Sequence, residues 1–201
     1  MNAPASFYFD LASPLAYLAA ERVLHALPGP AEWQPVLARE LPGARAAHRE
    51  PRESDDEDGV SRAEIERRGA ELGLQPLRWP APFPFDSAFA MRAATYAKSI
   101  GRTVPFAQAA FRQAFAGGRD LEQPDNVLIA AAACEMHPAA VLRGAELRSV
   151  RTQLAEATSD AARKSIKEVP AIVVDRTVYE GARAIERAAA QMLELHSGAP
   201  R

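Results

Sequence analysis

The sequence predicts an α/β protein that opens β–α–β, continues through a long all-helical stretch, and closes with a β-hairpin and a helix. Three observations carry this expectation. An aromatic run, Phe7-Tyr8-Phe9, breaks at Asp10 and restarts behind Ser13-Pro14 with helical spacing. From about residue 61 to 165 the apolar residues recur at helical period, with many alanines and helix-start prolines. Near the end, Val169-Pro170-Ala171-Ile172-Val173-Val174 and Thr177-Val178-Tyr179 flank Asp175-Arg176, a strand–turn–strand pattern.

Each element has a local reason. Ser13 is a favoured N-cap residue, and Pro14 suits the first helical turn, where its missing N–H leaves nothing unsatisfied. Ala16, Ala19, Ala20, Val23, Leu24 and Leu27 then line one apolar face. Residues 33–37 read as the second strand, with Val36 and Leu37 at its end. Residues 42–60 turn polar, and Glu53-Ser54-Asp55-Asp56-Glu57-Asp58 reads as a solvated loop. Ser61 caps a helix over 61–72 that carries Ala63, Ile65, Ala70 and Leu72. Three prolines within Trp79-Pro80-Ala81-Pro82-Phe83-Pro84-Phe85 force an extended path, either a pocket wall or a packed linker. Asp86 or Ser87 caps the next helix, in which Phe89, Ala93, Tyr96 and Ala97 share a face and which Gly101 stops. A helix over 105–116 places Phe106, Ala110, Phe111 and Phe115 toward the core and ends at Gly117-Gly118. Helices follow over 124–136 and 138–148, with Pro124 and Pro138 at their starts, and helical character persists to about Lys164. The hairpin comes next, and after Gly181 a last helix carries Ile185, Ala188, Ala189, Met192 and Leu193.

Composition narrows the function classes. The chain has 201 residues, 48% hydrophobic and 25% charged, with a formal net charge of −2, so it can bury a sizeable core and has no basic surplus for nucleic acid. No apolar stretch approaches the roughly 20 residues of a membrane span. The N-terminus lacks a basic region followed by an apolar one, so the expectation is no secretory signal and a cytoplasmic location. Cys134 is the only cysteine, which rules out an internal disulfide or a dithiol exchange motif. It reads as a small buried residue in an Ala-rich helix. Any thiol chemistry here needs sulfur from a ligand.

Ser13 can be read two ways from local physics. It is an ordinary helix cap, or it belongs to an anion site formed by its hydroxyl and the N–H groups of the first turn. A resemblance favours the second reading. Phe-Tyr-Phe-Asp-Leu-Ala-Ser-Pro followed by Tyr-Leu-Ala resembles the opening of 2-hydroxychromene-2-carboxylate isomerases and kappa-class glutathione transferases, in the DsbA-like branch of the thioredoxin superfamily. Pro35-Val36-Leu37 is similar to the family's second strand. Phe111, Phe115, Gly118 and Asp120 match a Phe-x-x-x-aromatic-x-x-Gly-x-Asp segment, and Val169-Pro170 matches the cis-proline loop.

The resemblance implies a thioredoxin-like core from residues 1–60 and 166–201, with residues 61–165 as a helical insertion domain. It implies glutathione, or another low-molecular-weight thiol, as cofactor, and no metal. Ser13 stands where a disulfide oxidoreductase carries its first CxxC cysteine and would stabilise the ligand's thiolate. Val169 and Pro170 would meet its cysteinyl part, with Gly181 and Arg183 at its γ-glutamyl end. Leu15, where the family carries an aromatic residue, and Asp86 would line the substrate pocket. The implied reaction is reversible thiol addition to an aromatic-derived unsaturated keto acid, a small-molecule substrate in aromatic degradation. Homodimers are common among such proteins, and a homodimer is the expectation here.

The chain also departs from the family pattern. Arg183 stands where the family has an Asp that meets the ammonium of glutathione, a reversal of charge. Asp86 replaces a frequent Asn, and the acidic run occupies the segment where Lys and Tyr reach the other end of glutathione. These departures leave two expectations: a thiol-dependent isomerase with accompanying glutathione transferase activity, or a thioredoxin-fold binding module without catalysis. A disulfide oxidoreductase is excluded for want of a CxxC motif.

Overall fold

The computed structural model describes residues 5–43, 60–181 and 183–197. The acidic run Glu53–Asp58 and Ala182 lie outside the described residues. The chain opens with β1 (Ala5–Phe9), α1 (Pro14–Ala20), the short α2 (Val23–Ala26) and β2 (Ala31–Pro35), followed by a single turn at Ala38–Glu40. Helices α3 (Arg62–Glu71), α4 (Ala88–Ser99), α5 (Thr103–Phe115), α6 (Pro124–Ala132), α7 (Pro138–Glu146) and α8 (Arg148–Arg163) follow. Strands β3 (Ala171–Val174) and β4 (Thr177–Glu180) and helix α9 (Ala184–Ser197) complete it.

The four strands form one sheet in the order β2-β1-β3-β4. β1 runs parallel to β2, with Phe7 opposite Trp33, and antiparallel to β3, with Phe7 opposite Ile172. A βαβ crossover joins β1 to β2, and a two-residue turn at Asp175-Arg176 joins β3 to β4, also antiparallel, as the sequence predicts. Phe7 and Phe9 point to one face and stack near Trp33, while Tyr8 points to the other, against Val36, Ile166 and Val173. Both faces are covered, which is why the run is aromatic rather than alternating apolar and polar.

Several boundaries shift from the sequence expectation, each for a visible reason. The second strand ends at Pro35 instead of Leu37. Val36 N–H still bonds Phe9 C=O (3.1 Å), but Leu37 N–H turns to Thr158 Oγ1 (3.0 Å) and Ala38 N–H to Asp10 Oδ2 (2.8 Å). The helix expected to reach Met136 stops at Ala132, because Glu135 adopts a left-handed conformation (φ 58°). Cys134 is buried just beyond that helix end. Leu147 is extended, and so separates α7 from α8. The proline-rich segment is a packed linker: Phe83 and Phe85 are buried, and Phe83 meets Phe115 with ring centroids 6.1 Å apart.

Candidate functional site

Ser13 sits in an extended conformation (φ −94°, ψ 113°) directly before α1, and Pro14 takes the first helical position. Its Oγ accepts the Ala16 N–H at 3.2 Å and donates to the Val169 C=O at 3.4 Å. The Val169–Pro170 bond is cis. Pro170 C=O accepts the Gly181 N–H at 3.1 Å, and Gly181 has the positive φ (75°) that suits glycine. Four sequence-predicted residues, Ser13, Val169, Pro170 and Gly181, are thus joined through two hydrogen bonds. Ser13 is half-buried, and Val169 and Pro170 across from it are buried.

The other predicted residues stand further out. Leu15 is half-buried at the edge of the main core. Arg183 is exposed one residue before α9. Its charge bears on Glu186: burial pushes that carboxyl up, but the Arg22 hydrogen bond, with Arg22 and Arg183 nearby, leaves it below its ordinary value. Asp86 is paired with Arg39, Nη1 to Oδ1 at 2.5 Å. That hydrogen bond holds the Asp86 carboxyl below its ordinary value against the opposing effect of burial. Among the described residues, Asp86 has no hydrogen bond to Ser13, Leu15 or the cis-proline loop.

Three residues near the site went unassigned in the sequence. Asp10 is fully buried, and its Oδ1 takes the Ala12 N–H (2.9 Å) while its Oδ2 takes the Ala38 N–H. Its backbone C=O accepts the Ser13 N–H at 3.0 Å, so Asp10 fixes the loop that presents Ser13. Leu11 N–H points to Met91 Sδ of α4 at 3.2 Å, a further tether on that loop. Glu168 places its carboxylate over Gly181, where an added Cβ would come within 3.2 Å of Oε1. Burial, reinforced by Glu180, pushes the Glu168 carboxyl up. Arg39 is the third. The only sequence signal for Asp10 was an acid directly after a buried aromatic run.

A shallow surface cleft between α2 and β2, lined by Val23, Leu24, Leu27 and Pro28, contains none of these residues. Among the described residues no group of three His, Cys, Asp or Glu side chains is placed to hold a metal ion. No described helix is long and apolar enough to cross a membrane.

A family model for the DSBA-like thioredoxin domain matches residues 6–192, nearly the whole chain. The chain belongs to the DSBA-like thioredoxin family. Solved DSBA-like structures share its fold at low identity. A 2-hydroxychromene-2-carboxylate isomerase superposes with a TM-score of 0.77 at 16% identity, covering 97% of this chain and 98% of that one. A probable DsbA oxidoreductase from Streptomyces coelicolor gives a TM-score of 0.71 at 18% identity, covering 98% and 92%. The cytosolic disulfide reductase DsbM from Pseudomonas aeruginosa, solved with GSH, gives 0.65 at 13% identity, covering 97% and 98%. No curated protein matches the sequence significantly. This DSBA-like chain therefore has the fold of both isomerases and disulfide enzymes, with a serine and no CxxC at its first helix.

Proposed function

We propose that the protein is a thiol-dependent isomerase, using glutathione or another low-molecular-weight thiol on an aromatic-derived unsaturated keto acid. The observation that carries this reading is the contact between Ser13 Oγ and the Val169 C=O of the cis-proline loop. A bound thiol supplies a thiolate that adds reversibly to a conjugated double bond, permits rotation about it, and leaves again. On thiol binding the single Ser13 O–H turns from the Val169 C=O to the sulfur, which favours the thiolate over the thiol. Asp10 keeps the Ser13 loop in place through its two backbone contacts. Val169 offers its peptide groups to the cysteinyl backbone of the thiol. Glu168 beside Gly181 puts negative charge at the end where Arg183 brings positive charge. The residues present therefore fit the cysteinyl part of glutathione well, and its ammonium end less directly. The same fold and site are compatible with transferase chemistry, with a homodimer, and with a cytoplasmic location.

Calorimetric titration with reduced glutathione, mycothiol and bacillithiol tests the proposal. One thiol is expected to bind, and Ser13→Ala to weaken it by about tenfold, as removal of one hydrogen bond to a charged group does. No binding of any thiol would favour the non-catalytic binding module, the reading to which the charge reversal at Arg183 lends support. Equal binding by Ser13→Ala would reduce Ser13 to a helix cap.

A further inference from the structure

Two loops leave the carboxyl ends of the parallel strands side by side. The loop after β1 carries Ser13, and the turn after β2 carries Arg39. Asp10 ties them together, since its Oδ2 accepts the N–H of Ala38, the residue before Arg39. In open α/β sheets, ligands bind outside the carboxyl ends of the strands, so Arg39 stands on the rim of such a position.

Arg39 meets a carboxylate there already. Its Nη1 lies 2.5 Å from Asp86 Oδ1, and the two side chains are 39% and 47% exposed. That same Oδ1 accepts the Ala88 N–H at 2.8 Å, at the start of α4. Further along α4, Arg92 Nη2 lies 3.1 Å from Glu146 Oε1, and Glu146 Oε2 pairs with Arg151. Arg39 itself stands among acids, with Glu40 and Asp10 near it besides Asp86, and Glu122 Oε2 accepting the Asp86 N–H at 3.3 Å. Burial first, then the Arg151 and Arg39 charges, push the Arg92 guanidinium down, whereas the Asp86 hydrogen bond, with Glu40 and Asp10 nearby, pushes Arg39 up and keeps it charged.

We infer that Arg39 is a specificity-determining residue that receives a carboxylate on the compound bound beside Ser13, with Asp86 as its resting partner. This rests on the thiol-dependent reading only for what the carboxylate is attached to. Arg39 has five N–H donors in a planar fork, and Asp86 occupies it at one point. An incoming carboxylate can engage the fork at two points, a stronger and more directional contact. Asp86 can release Arg39 and still cap α4 through the Ala88 N–H. Both side chains are partly exposed, so the exchange leaves neither charge fully buried.

The test is calorimetric titration of the full chain, without thiol, with cinnamate and with its neutral counterpart cinnamamide. Wild type is expected to bind cinnamate at least about tenfold more tightly, Arg39→Gln to lose that preference, and Arg39→Lys to keep part of it. Asp86→Asn should tighten cinnamate binding, because the resident competitor is gone. Equal affinity for acid and amide, no binding of either, or a preference that survives Arg39→Gln would each overturn the inference. A protein that binds cinnamate through Arg39 but binds no thiol would sink the thiol reading and leave this one standing. Thiol binding without an acid preference would do the reverse.

Discussion

Glu168 stands directly before the Val169–Pro170 bond, with its carboxylate half-buried against Gly181 and close to Glu180. Burial first, and the Glu180 charge second, raise its proton affinity in the folded state above the ordinary carboxyl value of 4.5. In the window from 4.5 up to that raised value, the native state holds more of this proton than the unfolded chain does. Stability from this group is therefore present at acid pH and falls as pH rises through the window. Glu168→Gln removes the dependence. Its melting temperature relative to wild type should become more favourable from acid to neutral pH; a constant difference would show that Glu168 titrates as a free acid. Local reading made Ser13 a helix cap and Val169-Pro170 a strand start, and their site roles came only through the resemblance. Sequence reading passed over Asp10, Arg39 and Glu168 because each acts on a remote partner. Asp10 reaches Ala38, 28 residues away, and Arg39 reaches Asp86, 47 residues away.

Helix α4 tethers the Ser13 loop through Met91, whose Sδ takes the Leu11 N–H, and its position depends on how closely α7 approaches it. Gly144 makes that approach possible, because a Cβ built there would overlap the Tyr96 ring at its root rather than its tip. Gly144→Ala gains about 1 kcal/mol of helix propensity. It loses about 1–3 kcal/mol to overpacking. The overlap involves Cγ of Tyr96, which a small swing of the ring does not relieve, so a net destabilisation is expected in denaturant titration. An unchanged or raised midpoint would mean that α4 and α7 separate freely. Nothing within Arg143-Gly144-Ala145 announces this contact; the helix was legible from its period, while its partner was not. The same limit explains the misplaced element ends. Periodicity located β2 and α6, but Thr158 and Asp10, both distant in sequence, draw N–H groups away after Pro35. The left-handed Glu135 ends the α6 region within an Ala-rich run that shows no break.

Across the whole molecule, one apolar cluster runs from the sheet through α5 to the proline-rich linker. Phe111 touches both sides, with ring centroids 5.9 Å from Phe9 of β1 and 6.2 Å from Tyr17 of α1. Phe115 continues the chain of rings to Tyr17 at 5.6 Å and to Trp79 at 6.2 Å. The sequence placed these aromatics in a core, but the strand order came only through the resemblance, since periodicity says nothing of which strands pair. A core continuous across sheet and helices makes their unfolding one event. Phe111→Ala should cost about 3–5 kcal/mol, a large part of the roughly 5–15 kcal/mol that holds a domain together. Trp33 lies in β2 and Trp79 in the linker, and these are the chain's two tryptophans. Single-tryptophan variants, Trp33→Phe and Trp79→Phe, let fluorescence follow each region separately. In the Phe111→Ala background both probes should lose their native signal at one lowered denaturant midpoint, coincident with loss of helical circular dichroism. A Trp33 transition that keeps its wild-type midpoint while Trp79 melts early would show that the sheet does not depend on this aromatic bridge.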